Sequence, residues 1–329
     1  MPCGCSGRVA RIEEQVLLET KHGTPAKAGE VKRPEKATGV WVPAATPFRA
    51  NLAIDFDRYI EHCIKLLDDG AHGLAVLGTT SEANSLDLGE REMVLDRLVK
   101  AGISPAQLLP GTGAPSIGDT VRLTRHAVAL GVRGVLLLPP YYYKNVSDEG
   151  LYAFVAEVIR RVNDKRLAIY LYNFPQMTTI SWSPVLVGLL IQDFPDTVLG
   201  LKDSSGQVHY METLLEQYPG FAVFPSSESL LLRAMRKGAA GCISATANTH
   251  VTGIRWLYDG WQGADASAFH DMASGIREAV QPYGWIPAVK AILAAREGAP
   301  DWTRVRPPLD ALNEEQTKEL LKAVAAAGG

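Results

Sequence analysis

Lys202 closes the run Val198-Leu199-Gly200-Leu201-Lys202, and the chain then turns at once through Asp203-Ser204-Ser205-Gly206. The residues ahead of it read as a buried strand, and lysine is rarely buried because its ammonium is costly to take out of water. Desolvation at the inner end of such a strand favours the neutral amine, which can attack a carbonyl. An earlier run, Ile169-Tyr170-Leu171-Tyr172-Asn173-Phe174-Pro175, reads as another strand that delivers Tyr172 to its end. If the two strands are one repeat apart, Lys202 and Tyr172 stand side by side. Taken alone, the pair also fits a snorkelling lysine and a core ring with a wet hydroxyl. The other residues decide between the two.

A third run ends in Leu77-Gly78-Thr79-Thr80-Ser81-Glu82. The Gly-Thr-Thr turn can aim successive backbone N–H groups at a small carboxylate. The three pieces combine into one chemistry. A 2-oxo acid lays its carboxylate on the Thr79 and Thr80 amides, Lys202 attacks the ketone to form an imine, and Tyr172 shuttles protons. A protonated imine is an electron sink, so C–C or C–O bonds beyond it can be made or broken.

The elements that must hold these residues are legible as a repeat. Eight short apolar runs, Val40–Ala45, Gly73–Leu77, Gln107–Pro110, Gly134–Leu138, Leu167–Tyr172, Thr197–Lys202, Phe221–Phe224 and Ala240–Ser244, recur at the interval of a β-then-α unit. Helical patterns lie between them, such as 57–67, 89–101, 117–130, 148–162, 207–217 and 229–237, with Asp148 and Ser229 read as caps and Gly131, Gly220 and Gly238 as stops. Eight such units predict an α/β fold, a (β/α)8 TIM barrel, whose active site sits at the C-terminal ends of the strands. A doubly wound sheet would carry a Gly-rich loop after its first strand, where this chain has Thr46-Pro47-Phe48. Helical stretches near 263–278, 285–296 and 309–325 form a C-terminal three-helix appendage. The expected division is a flexible extension over 1–35, a catalytic barrel over 36–262 and a helical region over 263–329.

Composition narrows the function classes. The chain has 329 residues, is 47% hydrophobic and 21% charged, and carries a net charge of -3, which suits a large globular core and neither nucleic acid nor a membrane surface as partner. No apolar run reaches spanning length, and the first 35 residues lack the apolar stretch of a secretory signal. Cys63 and Cys242 read as buried thiols, and Cys3-Gly4-Cys5 is too closely spaced for a zinc knuckle. A reducing cytoplasm is the expected compartment. The histidines show no ligand spacing, so no metal and no cofactor are expected.

From about residue 38 to 325 the chain resembles the dihydrodipicolinate synthase / N-acetylneuraminate lyase family of Schiff-base-forming class I aldolases and dehydratases. The matching pieces, in order, are Val42-Pro43-Ala44-Ala45-Thr46-Pro47-Phe48, Gly78-Thr79-Thr80-Ser81-Glu82, Gly111-Thr112-Gly113, Pro140-Tyr141-Tyr142-Tyr143, Glu149-Gly150-Leu151-Tyr152, Tyr172-Asn173-Phe174-Pro175, Gly200-Leu201-Lys202-Asp203, Ile243-Ser244-Ala245-Thr246-Ala247-Asn248 and Ile286-Pro287-Ala288-Val289-Lys290. The resemblance implies Lys202 as the imine lysine, Tyr172 as the proton-transfer tyrosine and Thr79 as both carboxylate binder and relay. It implies Thr80 as the second carboxylate binder, with Ile243 against the substrate. A second tyrosine reaches in from a neighbouring subunit in relatives. Its match is Tyr142 aligned from the Gly134 side and Tyr143 aligned back from Glu149, and Tyr142 is preferred. A homotetramer, built as a dimer of dimers, is the implied assembly.

Two departures bear on substrate. Ser81 stands where relatives have glycine. Met177 stands where the synthase has the arginine that grips aspartate semialdehyde, and a thioether cannot replace a bidentate guanidinium–carboxylate contact. Relatives use the turn after the seventh strand, here Ser226-Ser227-Glu228, for sugar-acid hydroxyls, and two hydroxyls and a carboxylate suit a polyol. An arginine elsewhere, such as Arg255, could reach the site. The expected activity is cleavage or dehydration of a 2-oxo-3-deoxy sugar acid or a 4-hydroxy-2-oxo acid, with pyruvate as product or donor. The competitors are 4-hydroxy-tetrahydrodipicolinate synthase, an aromatic hydratase-aldolase and, outside enzymes, a catalytically silent ligand-binding barrel.

Overall fold

A computed structural model of the chain describes residues 34–328. The expected extension, with Cys3 and Cys5, lies outside the described residues except for its last two positions. Among the described residues the seven regular strands are β1 (Gly39–Val42), β2 (Gly73–Leu74), β3 (Val135–Leu137), β4 (Ile169–Asn173), β5 (Val198–Asp203), β6 (Ala222–Pro225) and β7 (Gly241–Ile243). All their pairings are parallel, in the orders β2-β1-β7 and β3-β4-β5-β6.

Backbone bonds close these two sheets into one ring. On one side the segment 108–111 stands between β2 and β3, bridging Leu108 to Leu74 and Gly111 to Leu136. On the other, the Ala240 N–H donates to the Val223 carbonyl at 3.0 Å. The run 107–110 is therefore the eighth stave, though not a regular strand as expected. Pro110 has no N–H to give, and Pro105 starts a 3-10 turn that takes Gln107.

Among the described residues the helices longer than one turn are α1 (Phe56–Asp68), α2 (Leu88–Lys100), α3 (Ile117–Leu130), α4 (Asp148–Val162), α5 (Pro184–Asp193), α6 (Val208–Gln217), α7 (Leu231–Arg236), α8 (Ala247–Gly260), α9 (Ala266–Val280), α10 (Trp285–Glu297) and α11 (Glu314–Ala326). In α1 the buried residues Tyr59, His62, Cys63 and Leu66 follow the i, i+3, i+4, i+7 spacing of one face. Ser147, rather than Asp148, caps α4, its side chain accepting from the Gly150 N–H. Ser229 lies in a 3-10 turn ahead of α7 and is not its cap. Cys63 and Cys242 are buried free thiols, and burial pushes both thiols far above the usual range. Among the described residues no helix is long and apolar enough to cross a membrane.

The pleat decides what reaches the site. Along β4 and the residue before it, Ala168 and Tyr170 face the barrel interior, while Ile169 and Leu171 join the outer core under the helices. Tyr172 is next on the inward face. On β5 the register slips, so that Ile169 pairs with Val198 but Tyr170 pairs with Gly200. This bulge keeps Leu199 inward and Leu201 outward, and so turns Lys202 inward beside Tyr172. Gly200 is required there because a Cβ would lie 2.6 Å from Tyr170 Cδ1 and 2.4 Å from the Ala222 carbonyl oxygen. Tyr170, Phe224, Trp41 and Leu136 fill the interior and form the floor on which the site stands.

The C-terminal helices brace the site loop. Lys290 on α10 and Glu82 are both fully buried and form an ion pair. Lys290 also stands 4.4 Å from the centre of the Phe48 ring. Burial draws its ammonium below the ordinary lysine range, against the pull of Glu82. Glu82 in turn accepts from the Arg306 N–H at 2.9 Å. Removing one partner of such a pair strands the other charge, which costs about 3–5 kcal/mol. Lys290→Met will therefore lower the thermal unfolding midpoint by many degrees, and adding Glu82→Gln will restore much of the loss. Equal midpoints for wild type and Lys290→Met would remove this role from the pair.

Candidate active site

The open end of the barrel, at the C-terminal ends of the strands, holds a cavity of about 410 Å³. Its lining includes Thr79, Thr80, Tyr172, Lys202, Ser226 and Ile243, so six of the expected residues share one chamber. Tyr172 and Lys202 are direct register partners on neighbouring strands. The Lys202 Nζ lies 4.3 Å from the centre of the Tyr172 ring. Both are almost wholly buried, at 2% and 4% exposure. Lys202 has no hydrogen-bond or ion-pair partner among the described residues, which is rare for a buried lysine and leaves its nitrogen free for chemistry.

Tyr172 is fixed from three sides. Its hydroxyl lies 3.3 Å from Thr79 Oγ1, Phe174 stacks on its ring at 5.9 Å, and Trp182 Nε1 donates to its carbonyl at 3.1 Å. Beside Lys202, the Asp203 carboxylate is occupied by Asn173 Nδ2 at 2.9 Å and by the Ser205 N–H and hydroxyl, each at 3.0 Å. Burial holds that carboxyl above the usual carboxylate range. Asp203 therefore shapes the turn after the lysine.

The loop 77–82 begins and ends in left-handed backbone, at Leu77 (φ 59) and Glu82 (φ 56). Such conformations on non-glycine residues are held by their surroundings and cluster at functional sites. The N–H groups of Thr79 and Thr80 have no acceptor among the described residues, so two donors are available to an anion in the cavity. Position 81 does not need glycine, since its φ is not positive. The Ser81 hydroxyl donates to the Ala44 carbonyl at 2.6 Å, and Thr46 Oγ1 donates to the Ser81 carbonyl at 2.7 Å, tying the loop to the end of β1.

Three expected site residues, Ser227, Glu228 and Tyr142, are not in the lining, unlike Ser226. Glu228 is 1% exposed, and its carboxylate accepts from the Ser244 and Thr246 hydroxyls, with Arg277 Nη1 at 3.4 Å. Its oxygens are spent inside the protein rather than on a ligand. Tyr142 and Tyr143 are each 72% exposed and lie against one another away from the cavity, while Tyr141 donates to Asn84 Oδ1 at 3.0 Å. Arg255 is bound to the Gly70 carbonyl and Asp259, on the side where β2 begins, and does not line the site.

The arginine that does line the site is Arg277, on α9, together with Gln281 and Trp285. Sequence reasoning missed it because α9 follows the last barrel unit and no motif marks it. Met177, at the position of the synthase arginine, also lines the cavity and is 59% exposed. The described part of the lining thus holds two cations, Lys202 and Arg277, and no Asp or Glu.

The sequence profile of the dihydrodipicolinate synthetase family matches residues 36–327. A lyase of Chloroflexus aurantiacus, described as DapA-like and uncharacterized, is 32% identical over 288 residues, 87% of this chain and 95% of its own. The crystal structure of dihydrodipicolinate synthase from Agrobacterium tumefaciens superposes with a TM-score of 0.82 at 32% identity, covering 88% of this chain and 99% of that one. YagE, an Escherichia coli K12 prophage protein of the dihydrodipicolinic acid synthase family solved in complex with pyruvate, superposes at 0.81 with 26% identity, covering 88% and 98%.

Proposed function

The chain belongs to the dihydrodipicolinate synthetase family, and from that premise we propose that it is a class I lyase that cleaves or dehydrates a 4-hydroxy-2-oxo acid, a 2-oxo-3-deoxy sugar acid among them, through an imine on Lys202. The observation that carries this reading is the buried, unpartnered Lys202 beside Tyr172, in a cavity that also presents the free Thr79 and Thr80 amides. The pyruvate bound in YagE supports pyruvate as the three-carbon product or donor.

In the cleavage direction the substrate carboxylate rests on the Thr79 and Thr80 N–H groups, with Ser226 and Ile243 against the rest of the chain. Lys202 Nζ adds to the C2 carbonyl, and loss of water leaves the protonated imine. Tyr172 takes the proton of the C4 hydroxyl as the C3–C4 bond breaks. An aldehyde leaves and the bonding pair becomes the enamine. Protonation at C3 gives the imine of pyruvate, and water releases pyruvate and the free amine. Thr79 Oγ1 relays protons to and from Tyr172. A positioned acid–base group of this kind contributes about 10²–10⁴-fold.

The barrel, 36–262, carries the chemistry, and the helical region, 263–329, closes one wall of the cavity. The exposed Tyr142–Tyr143 pair is an aromatic anchor, and we assign Tyr142 to the site of a neighbouring copy in a homotetramer. Sedimentation will show an oligomer at assay concentration; a stable, fully active monomer would refute the assignment. Buried reduced thiols fit the cytoplasm, and recovery in a secreted fraction would contradict that compartment.

Aspartate semialdehyde, the partner of pyruvate in the synthase reaction, fits this cavity poorly. Met177 gives its carboxylate no charged contact where the synthase arginine stands, and its ammonium meets a described lining with no carboxylate. A side-by-side measurement of kcat/KM will favour a 4-hydroxy-2-oxo acid over this condensation. Synthase activity in the range of about 10⁴–10⁸ M⁻¹s⁻¹ would instead make the chain a 4-hydroxy-tetrahydrodipicolinate synthase.

A further inference from the structure

Arg277 is held in one orientation. Its Nη1 lies 3.0 Å from the Ser226 carbonyl oxygen, 3.0 Å from Ser244 Oγ and 3.4 Å from Glu228 Oε2. Its guanidinium carbon lies 4.1 Å from the centre of the Trp285 ring, so the guanidinium is packed against an aromatic surface. The side chain is 12% exposed and lines the cavity. All three contacts use the Nη1 corner, and Nε and Nη2 have no acceptor among the described residues. Those two nitrogens form the edge of the guanidinium that receives a carboxylate in two parallel hydrogen bonds.

We infer that Arg277 is a specificity-determining residue that binds a second, distal carboxylate of the substrate. The preferred substrate is then a 4-hydroxy-2-oxo acid with an acid group at its far end, rather than a neutral polyol. This deepens the imine reading and rests on it. The carboxylate next to the ketone is already provided for by the Thr79 and Thr80 amides, and the Lys202 nitrogen is used in the covalent step. Arg277 is the cation left over, and no carboxylate in the described lining neutralises it from the cavity side. Glu228 meets only the Nη1 corner, at 3.4 Å, and both Glu228 oxygens also accept hydroxyls. Glu228 therefore orients Arg277 without closing its free edge. A site built around such a donor discriminates strongly against an analogue lacking the acceptor, because the donor is then left unpaired.

The test uses the full chain, borohydride and intact mass. Three 2-oxo acids are titrated: pyruvate, 2-oxoglutarate and 2-oxopentanoate, the last two being of equal length with and without the distal carboxylate. On the wild type, 2-oxoglutarate will be trapped at a concentration at least about tenfold lower than 2-oxopentanoate. Arg277→Gln will raise the concentration needed for 2-oxoglutarate by about 10²-fold, as for loss of a buried charge contact. Pyruvate and 2-oxopentanoate will move by less than about threefold, the change expected of groups that do not meet Arg277. Because Arg277→Gln leaves Glu228 buried without its cation, Arg277→Gln/Glu228→Gln is measured as well and will show the same loss. The wild-type comparison stands even if neither variant folds. Normal trapping of pyruvate with no preference for 2-oxoglutarate would overturn the role of Arg277 alone. No trapping of any of the three would overturn the imine reading, and this inference with it.

Discussion

Lys202→Ala will abolish the borohydride-trapped adduct with pyruvate and all turnover, while the protein stays folded. The expected loss is complete because no second amine stands in the cavity: the other cation in the described lining is Arg277, whose guanidinium is not a nucleophile near neutral pH. Folding survives because the Lys202 side chain has no hydrogen-bond or ion-pair partner among the described residues. Its one recorded contact is with the face of the Tyr172 ring, at 4.3 Å. Burying an amine without a hydrogen-bond partner costs stability, so the alanine variant will unfold at the same temperature as wild type or higher. The contrast with Lys290 is instructive. That lysine is more deeply buried, yet it is paired with Glu82 and its loss should damage stability. Two buried lysines in one chain thus predict opposite outcomes, and intact mass with thermal unfolding on both alanine variants separates them. A Lys202→Ala protein that still traps pyruvate at normal yield would mean another lysine is the nucleophile.

The strands and most helices were legible because this fold repeats one pattern, an apolar run followed by an amphipathic one. α3 and α4 begin and end where the sequence pattern placed them. The stave at 107–110 blurred because prolines at 105 and 110 remove donors from a run whose apolar pattern is otherwise strand-like. α5 and α8 went unmarked. The first, Pro184–Asp193, is apolar nearly all round and so carries little periodicity, and the second is broken at His250 by a non-helical φ of -148°. The cavity wall that holds Thr79, Thr80, Tyr172 and Lys202 was legible for a related reason. Each of its residues lies near or beyond the C-terminal end of a strand, and a polar residue at the end of an apolar run stands out. The distal wall was not. Arg277 sits mid-pattern on a helix, where an arginine usually faces water, and nothing in its spacing says that Trp285 and Ser244 will turn it into the cavity. Glu228 erred in the opposite direction. A carboxylate after two serines reads as a ligand, but two hydroxyls from the turn after β7 consume both of its oxygens.

Tyr172→Phe will lower kcat by about 10²–10⁴-fold, the usual worth of a positioned acid–base group, with a much smaller change in the pyruvate concentration needed for trapping. The substitution removes one oxygen and keeps the ring, so the stack on Phe174 and the contact with Lys202 remain. The hydroxyl has one recorded partner, Thr79 Oγ1 at 3.3 Å. Its removal therefore leaves no buried donor stranded except a threonine hydroxyl that can rotate toward the open cavity, and stability should be nearly unchanged. That partner supplies the sharper test. If Tyr172 moves protons by way of Thr79, then Thr79→Val should impair turnover in the same direction. The double variant should then be little worse than Tyr172→Phe alone, because groups that act as one unit are not additive. If the hydroxyl of Tyr172 only positions substrate, its loss will appear in KM rather than kcat, and the two single losses will multiply in the double variant. An unchanged kcat in Tyr172→Phe would remove the tyrosine from the mechanism altogether and leave proton transfer to a group outside this chain's own cavity, such as Tyr142 brought in by a neighbouring copy.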